Sequence, residues 1–184
     1  VSSRGDHTFV GVYSLSAKTV NYLDPSTDRD NEPAWSPESS RIAFLRIPTS
    51  KSDLVFEPKR TSAPWSIRVA DVSTGKGHEI WKAFPGQGSA FREIVADNQI
   101  FWGAGDRIVF PWERDGWTHL YSVPESGGAA ELMTPGDFEV EYATLSSDRK
   151  SVVYSSNQDD IDRRHVWRVG VGASRPEAVT TGAG

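Results

Sequence analysis

Asp106–Thr134, DRIVFPWERDGWTHLYSVPESGGAAELMT, is the segment from which the fold is read. Ile108-Val-Phe110 is a β-branched and aromatic run, and Glu113-Arg-Asp-Gly116 is polar turn chemistry. His119–Val123 alternates again before Glu125-Ser-Gly-Gly128 reverses the chain into Glu131-Leu-Met-Thr134. Val, Ile and Tyr suit a pleated, half-buried surface, and Gly127 and Gly128 tolerate the positive φ of a tight hairpin. The segment predicts three short antiparallel strands joined by two turns.

The same grammar recurs along the chain. Ile42-Ala-Phe44, Ile108-Val-Phe110 and Val152-Val-Tyr154 read as copies of one strand, beginning 66 and then 44 residues apart. Each follows a polar turn: Ser36–Ser40, Gly103–Asp106 and Ser146–Lys150. A second strand lies downstream at Trp65–Val72, His119–Val123 and His165–Val169, and His7–Leu15 matches it. A last strand follows each time, at Thr19–Leu23, His78–Lys82, Ala130–Thr134 and Pro176–Thr180. A four-stranded unit, A to D, repeating near 44 residues has the length of a propeller blade. The expected fold is therefore all-β, a partial β-propeller of about three and a half four-stranded antiparallel blades within one segment, 1–184. Residues 1–31 form a partial blade, and 32–88 form a blade with a long B to C insertion at 47–64. Blades at 89–138 and 139–184 follow.

Composition agrees. The 184 residues, 37% hydrophobic and 11% aromatic, are enough to bury a core. No stretch has sustained helical periodicity or the length of a membrane span, so no membrane is expected. A net charge of -5 without a clustered basic face argues against nucleic acid. The absence of cysteine excludes disulfides and thiolate metal sites. Val1 opens within a β-type segment without a signal-peptide pattern, and both bacterial periplasm and cytoplasm stay open. The first repeat lacks strand A, and Gly184 falls where another would begin. The chain is thus expected to be a piece of a longer protein whose exposed end blades favour self-association.

Arg4-Gly-Asp6 resembles an adhesion tripeptide, but it occupies a repeat turn. Asp24–Asp30 carries carboxylates without the Gly and terminal Glu of an EF-hand loop, and reads as a solvated connection. The insertion Ile47–Pro64 holds an apolar Leu54-Val-Phe56 and the basic pair Lys59-Arg60. A second long connection runs from Ala83 to Asn98. In a meander the B to C and D to A connections share one end, which gathers both long connections with the B to C loops Trp112–Trp117 and Asn157–Arg164. Candidate residues facing substrate or another domain are Phe56, Lys59, Arg60, Trp112, Glu113, Arg114, Asp115, Arg163 and Arg164. Arg163-Arg164 reads equally as a carboxylate-binding pair or as a surface ion-pair run.

Neither a serine of the α/β-hydrolase type nor a cysteine nucleophile is present in the sequence. No serine sits in a Gly-x-Ser-x-Gly elbow; Gly86-Gln-Gly-Ser89 and Gly172-Ala-Ser174 come nearest. His7, His119 and His165 open strand C of successive repeats, which spreads them apart and suits structural hydrogen bonding better than a metal. Acids such as Asp159-Asp160, Glu139 with Glu141, and Glu113 with Asp115 are in polar turns, where solvation is the plainer role. No catalytic residue, metal or cofactor is assigned.

Trp35-Ser-Pro-Glu-Ser-Ser-Arg-Ile-Ala-Phe44 resembles the W-S-P-D-G-x-x-I-A-F signature of TolB-like, WD40-like propeller repeats, with Glu38-Ser39 in place of Asp-Gly. Trp112–Val123, Gly127-Gly128, Leu132–Gly136, Phe138–Val140, Tyr154–Asn157 and Arg164–Val169 together resemble the propeller of the dipeptidyl peptidase IV branch of the S9, prolyl oligopeptidase, serine peptidases. That resemblance implies a propeller over a C-terminal α/β-hydrolase domain of the same parent chain, admitting peptide substrates while the hydrolase domain cleaves. The family's amino-terminus clamp is an adjacent Glu pair. No Glu-Glu dipeptide occurs here, so no clamp residue is transferred. The alternatives are a TolB-like protein-binding scaffold and a stand-alone propeller enzyme such as a lactonase or glycosidase.

Overall fold

In the computed structural model, which describes residues 1–49 and 63–182, the alternating runs become strands and the polar clusters become turns. The chain is all-β, with four sheets and no helix among the described residues. It divides into two units, Val1–Ala90 and Phe91–Gly184.

In unit 1 the antiparallel meander β5 (Arg29–Trp35), β6 (Arg41–Ile47), β7 (Ser66–Asp71) and β8 (Gly77–Lys82) forms one blade. A hairpin of β1 (Ser2–Arg4) and β2 (His7–Phe9) extends that sheet to six strands through a parallel pairing of Thr8 with Arg29. A separate hairpin joins β3 (Gly11–Ser14) to β4 (Thr19–Tyr22). The continuous run expected over His7–Leu15 is therefore broken at Val10. Its side chain is buried with Leu23, Ile42, Phe44 and Ala70, and its carbonyl accepts the Leu23 N–H at 3.0 Å. Val10 is thus the residue at which the chain passes from the sheet of β2 to the hairpin of β3 and β4.

In unit 2, β9 (Phe101–Gly103), β10 (Arg107–Trp112), β11 (His119–Pro124) and β12 (Glu131–Leu132) form one blade. The next is β13 (Val140–Leu145), β14 (Ser151–Ser156), β15 (His165–Gly170) and β16 (Glu177–Ala178). Their facing side chains make one core: Phe101, Val109, Leu120 and Met133 from the first blade meet Val140, Ala143, Val152, Tyr154 and Val169 from the second. Gly103 allows this approach, since a Cβ there would lie 2.8 Å from a Val171 methyl.

Ile42, Ile108 and Val152 occupy the second strand of three different blades in one register. Ile42 faces Trp35 and Ala70, Ile108 faces Trp102 and Val123, and Val152 faces Leu145 and Val169. The turns before them repeat as well. In two of them a serine hydroxyl, Ser36 or Ser146, accepts the backbone N–H of Arg41 or Ser151, and a non-glycine residue, Ser39 or Arg149, takes φ near +60°.

Candidate functional site

The charged loops of unit 2 converge at one end of its two sheets. Trp112, the last residue of β10, is buried. Its ring meets Tyr121 edge-on at 5.0 Å, and the Arg114 guanidinium lies 5.7 Å from its centroid. That is a cation–π contact, which holds Arg114 by the electron-rich ring face. Glu113 pairs with Arg92 at 2.9 Å. Asp115 accepts the Trp117 N–H, and Gly116 at φ +101° permits the turn between them. The Thr118 carbonyl then takes the Val140 N–H at 2.8 Å, joining this loop to the start of β13.

The other segments join the same strand start. Val95 pairs in parallel with Tyr142: its N–H donates to the Glu141 carbonyl at 2.9 Å and its carbonyl accepts the Ala143 N–H at 3.1 Å. The buried Gln99 side chain holds the segment by donating to the Ile94 carbonyl and accepting the Ile94 N–H, both at 3.0 Å. Asn157 accepts the Glu139 N–H at 2.9 Å. Arg164 donates to Glu141 at 2.7 Å and to the Ile161 carbonyl at 3.3 Å, and Arg163 lies 3.6 Å from Asp160. Glu141 holds the Arg164 pKa above its ordinary value. Both arginines are thus engaged by acids of the same chain, Asp160 and Glu141.

The residues expected from sequence thus sort by burial. Trp112 is a core side chain, Glu113 is half-buried, and Arg114, Asp115, Arg163 and Arg164 are exposed. Phe56, Lys59 and Arg60 lie outside the described residues. Sequence reading overlooked the apolar surface between these loops: Val95 (69% exposed), Trp117 (38%), Tyr142 (41%) and Ile161 (78%). Bulges mark strands that re-aim side chains, and one between Val140 and Tyr142 shifts the register where this surface begins.

Beneath the surface, His119 is buried at the start of β11. Its Nδ1 lies 3.3 Å from the Thr134 hydroxyl, which accepts the Leu120 N–H at 3.0 Å, and Phe138 meets the ring edge-on at 5.1 Å. Burial pushes the His119 pKa below the ordinary histidine value, against the opposing pull of Asp115, Asp137 and Glu139. The other two strand-opening histidines differ. His165 is half-buried, and His7 has a buried Nδ1 without a hydrogen-bond partner. Among the described residues no three His, Asp or Glu side chains are grouped to hold a metal ion.

Unit 1 places different chemistry at the corresponding end. The register sets the end of β6, the start of β7 and the end of β8 side by side, so both long connections leave the sheet there. Asp30 is fully buried and accepts Arg46 Nε at 2.7 Å and Nη2 at 2.9 Å. Asp24 takes Arg46 Nη1 at 3.2 Å, takes Arg68 Nε, and offers its carbonyl to Arg46 Nη2. The expectation of a solvated Asp24–Asp30 loop is corrected for both ends of the segment: each acid is turned inward by an arginine on the sheet. Burial holds the Asp30 pKa above the usual carboxylate range, with the Arg46 hydrogen bonds opposing it.

The dipeptidyl peptidase IV (DPP IV) N-terminal region model matches residues 48–184. A probable dipeptidyl peptidase 4 of Emericella nidulans is 26% identical over 165 residues, covering 85% of this chain and 20% of that protein. The chain spans a fifth or less of the curated relatives it matches. TolB from Acinetobacter baumannii superposes with a TM-score of 0.56 at 21% identity, covering 94% of this chain and 37% of TolB. A prolyl endopeptidase superposes with a TM-score of 0.66 at 13% identity, covering 96% of this chain and 25% of the endopeptidase. At these identities the superpositions establish the propeller fold alone. The matched stretch, 48–184, takes in well over half of the sequence and all of unit 2, and the chain belongs to the dipeptidyl peptidase IV N-terminal region family.

Proposed function

We propose that the chain is the non-catalytic propeller portion of an S9, dipeptidyl peptidase IV-like serine peptidase. In this reading it gates and docks peptides for an α/β-hydrolase domain of the same parent chain. The family match over 48–184 carries the proposal. The loop end of unit 2 supports it, because charged and aromatic side chains crowd one end of the sheets. Nucleophile, base and oxyanion donors belong to the hydrolase domain. The propeller contributes selection by size and a surface that holds the peptide before it reaches the nucleophile, which lowers the entropy of the encounter.

The parent polypeptide tests this through a fluorophosphonate probe, which labels an activated serine. The expected label falls on a serine outside these 184 residues. The parent is also expected to cleave short peptides while leaving intact a folded protein that carries the same cleavable sequence. An unlabelled parent that binds a protein partner would instead be a TolB-like scaffold, and the peptidase reading would fall.

A further inference from the structure

Four of the five exposed large apolar side chains of unit 2 among the described residues gather at its loop end: Val95, Trp117, Tyr142 and Ile161. They are held around the start of β13. Val95 pairs with Tyr142, Trp117 adjoins the Thr118 carbonyl that anchors Val140, and the Ile161 carbonyl takes the Arg164 that reaches Glu141. The same connections and strand start carry ion pairs, Arg92 with Glu113, Arg163 with Asp160 and Arg164 with Glu141. Exposed aromatic side chains among charged pairs are the composition of a polypeptide-binding surface.

Charge narrows the occupant. Segments 91–97, 113–117, 137–141 and 157–164 hold ten Asp or Glu, four Arg and no Lys, a formal charge of -6, against -5 for the whole chain. The rest of the molecule is close to neutral, so the negative field is local to this end. Three of the four arginines are already engaged by its own acids. A second copy would bring like charge to like, and an anionic polymer would be repelled. The chemistry that fits is an extended polypeptide of positive charge with apolar side chains to bury.

We propose that the loop end of unit 2 docks a cationic peptide segment that also carries apolar residues, with Trp117 and Tyr142 as its anchors. Large, stiff aromatic side chains suit that role because they bury much area for little lost freedom. The proposal deepens the peptidase reading by naming the class of peptide held, and rests on that reading for the peptide's source.

The probe is a fluorescein-labelled decapeptide alternating Lys with Leu and Phe, read by anisotropy as the full 184-residue chain is titrated. A counterpart alternates Glu with the same apolar residues. The Lys peptide is expected to bind, more weakly as salt rises, and the Glu peptide to fail. Replacing both anchors, Trp117→Ala with Tyr142→Ala, is expected to weaken binding at least about tenfold. Trp117 and Tyr142 are 38% and 41% exposed, so the melting midpoint of the variant is measured first and binding is compared well below it. Asp137→Asn with Glu139→Gln is expected to weaken the Lys peptide about threefold and leave the Glu peptide unbound.

Equal binding of the two peptides, no binding up to about 1 mM, or binding indifferent to the ring substitutions overturns the proposal. So does sedimentation showing a dimer that the ring substitutions dissolve, which would make a second copy the occupant. A parent protein that takes the fluorophosphonate label while this end ignores the Lys peptide sinks the docking proposal alone. Binding without any label sinks the peptidase reading alone.

Discussion

At the register position where the second strand of a blade faces the first residue of the third, the two units use opposite chemistry. In unit 1 it is Arg46, facing Ser66, with its guanidinium buried against Asp30 and Asp24. In unit 2 it is Trp112, facing His119 and packed on Tyr121, and in the last blade Ser156, facing His165. A buried ion pair offsets its own desolvation only through near-ideal geometry, so it fails abruptly when one partner leaves. An indole stabilises in proportion to the area it buries, so it degrades by degrees. One meander grammar therefore tolerates two kinds of closure, and they should break differently.

Arg46→Ala should break the comparison most sharply. It leaves the Asp30 carboxylate buried without its main partner, at an expected loss of about 3 to 5 kcal/mol in urea unfolding. The double replacement Arg46→Met with Asp30→Leu should recover most of that loss, because apolar side chains of similar volume need no desolvation. If the single substitution changes stability by less than about 1 kcal/mol, the cluster is not what closes unit 1. Trp112→Leu keeps an apolar side chain and gives up the ring contact with Tyr121, for an expected loss of about 1 to 2 kcal/mol. No second substitution should be needed to moderate it.

Acid separates the units by sign. The His119 pKa is depressed in the folded state, so its contribution is complete above the ordinary histidine value and is lost as pH falls through the folded value. The unfolded chain takes up the proton first, and unit 2 should weaken as the pH falls below the ordinary histidine value, about 6.5. Asp30, with its raised pKa, acts oppositely. Its contribution is complete below the ordinary carboxylate value and is lost as pH rises through the folded one. Melting His119→Phe beside the parent across this range checks the first half. An unchanged pH slope in the variant would remove His119 as its source.

How much of this could be read from sequence follows from the range of the forces involved. Strand, turn and repeat are local, and period-2 alternation between polar turns was enough to align Ile42, Ile108 and Val152. The break at Val10 was hidden because Thr8-Phe-Val-Gly-Val-Tyr13 is an unbroken run of strand-forming residues with no turn residue other than Gly11. Asp24 and Asp30 looked solvated because their arginines lie 16 to 44 residues away, across a sheet. The surface around Tyr142 was hidden for a related reason. Val95, Trp117 and Ile161 come from three separate connections, which backbone bonds to the start of β13 and the contacts of Arg164 with Ile161 and Glu141 bring together. Pairwise ion contacts such as Arg164 with Glu141 were likewise beyond a reading that had charges without distances.

The smallest expected effect compares the two units at their shared turn. Ser39 at φ +59° stands where the repeat signature has glycine, and Arg149 at φ +60° takes the corresponding place in the last blade. A left-handed conformation strains any residue with a Cβ, so Ser39→Gly should raise stability by about 0.5 to 1 kcal/mol. Arg149→Gly should gain less, because it gives up the guanidinium's 3.5 Å contact with the Trp102 carbonyl, which ties this turn to the neighbouring blade of unit 2. Chemical denaturation of the two variants in parallel decides the point. Equal gains would mean that this long contact contributes nothing and that the two turns differ only in sequence. A loss in Arg149→Gly alongside a gain in Ser39→Gly would make Arg149 a true link between blades, and the turn of unit 2 a packing element that unit 1 does without.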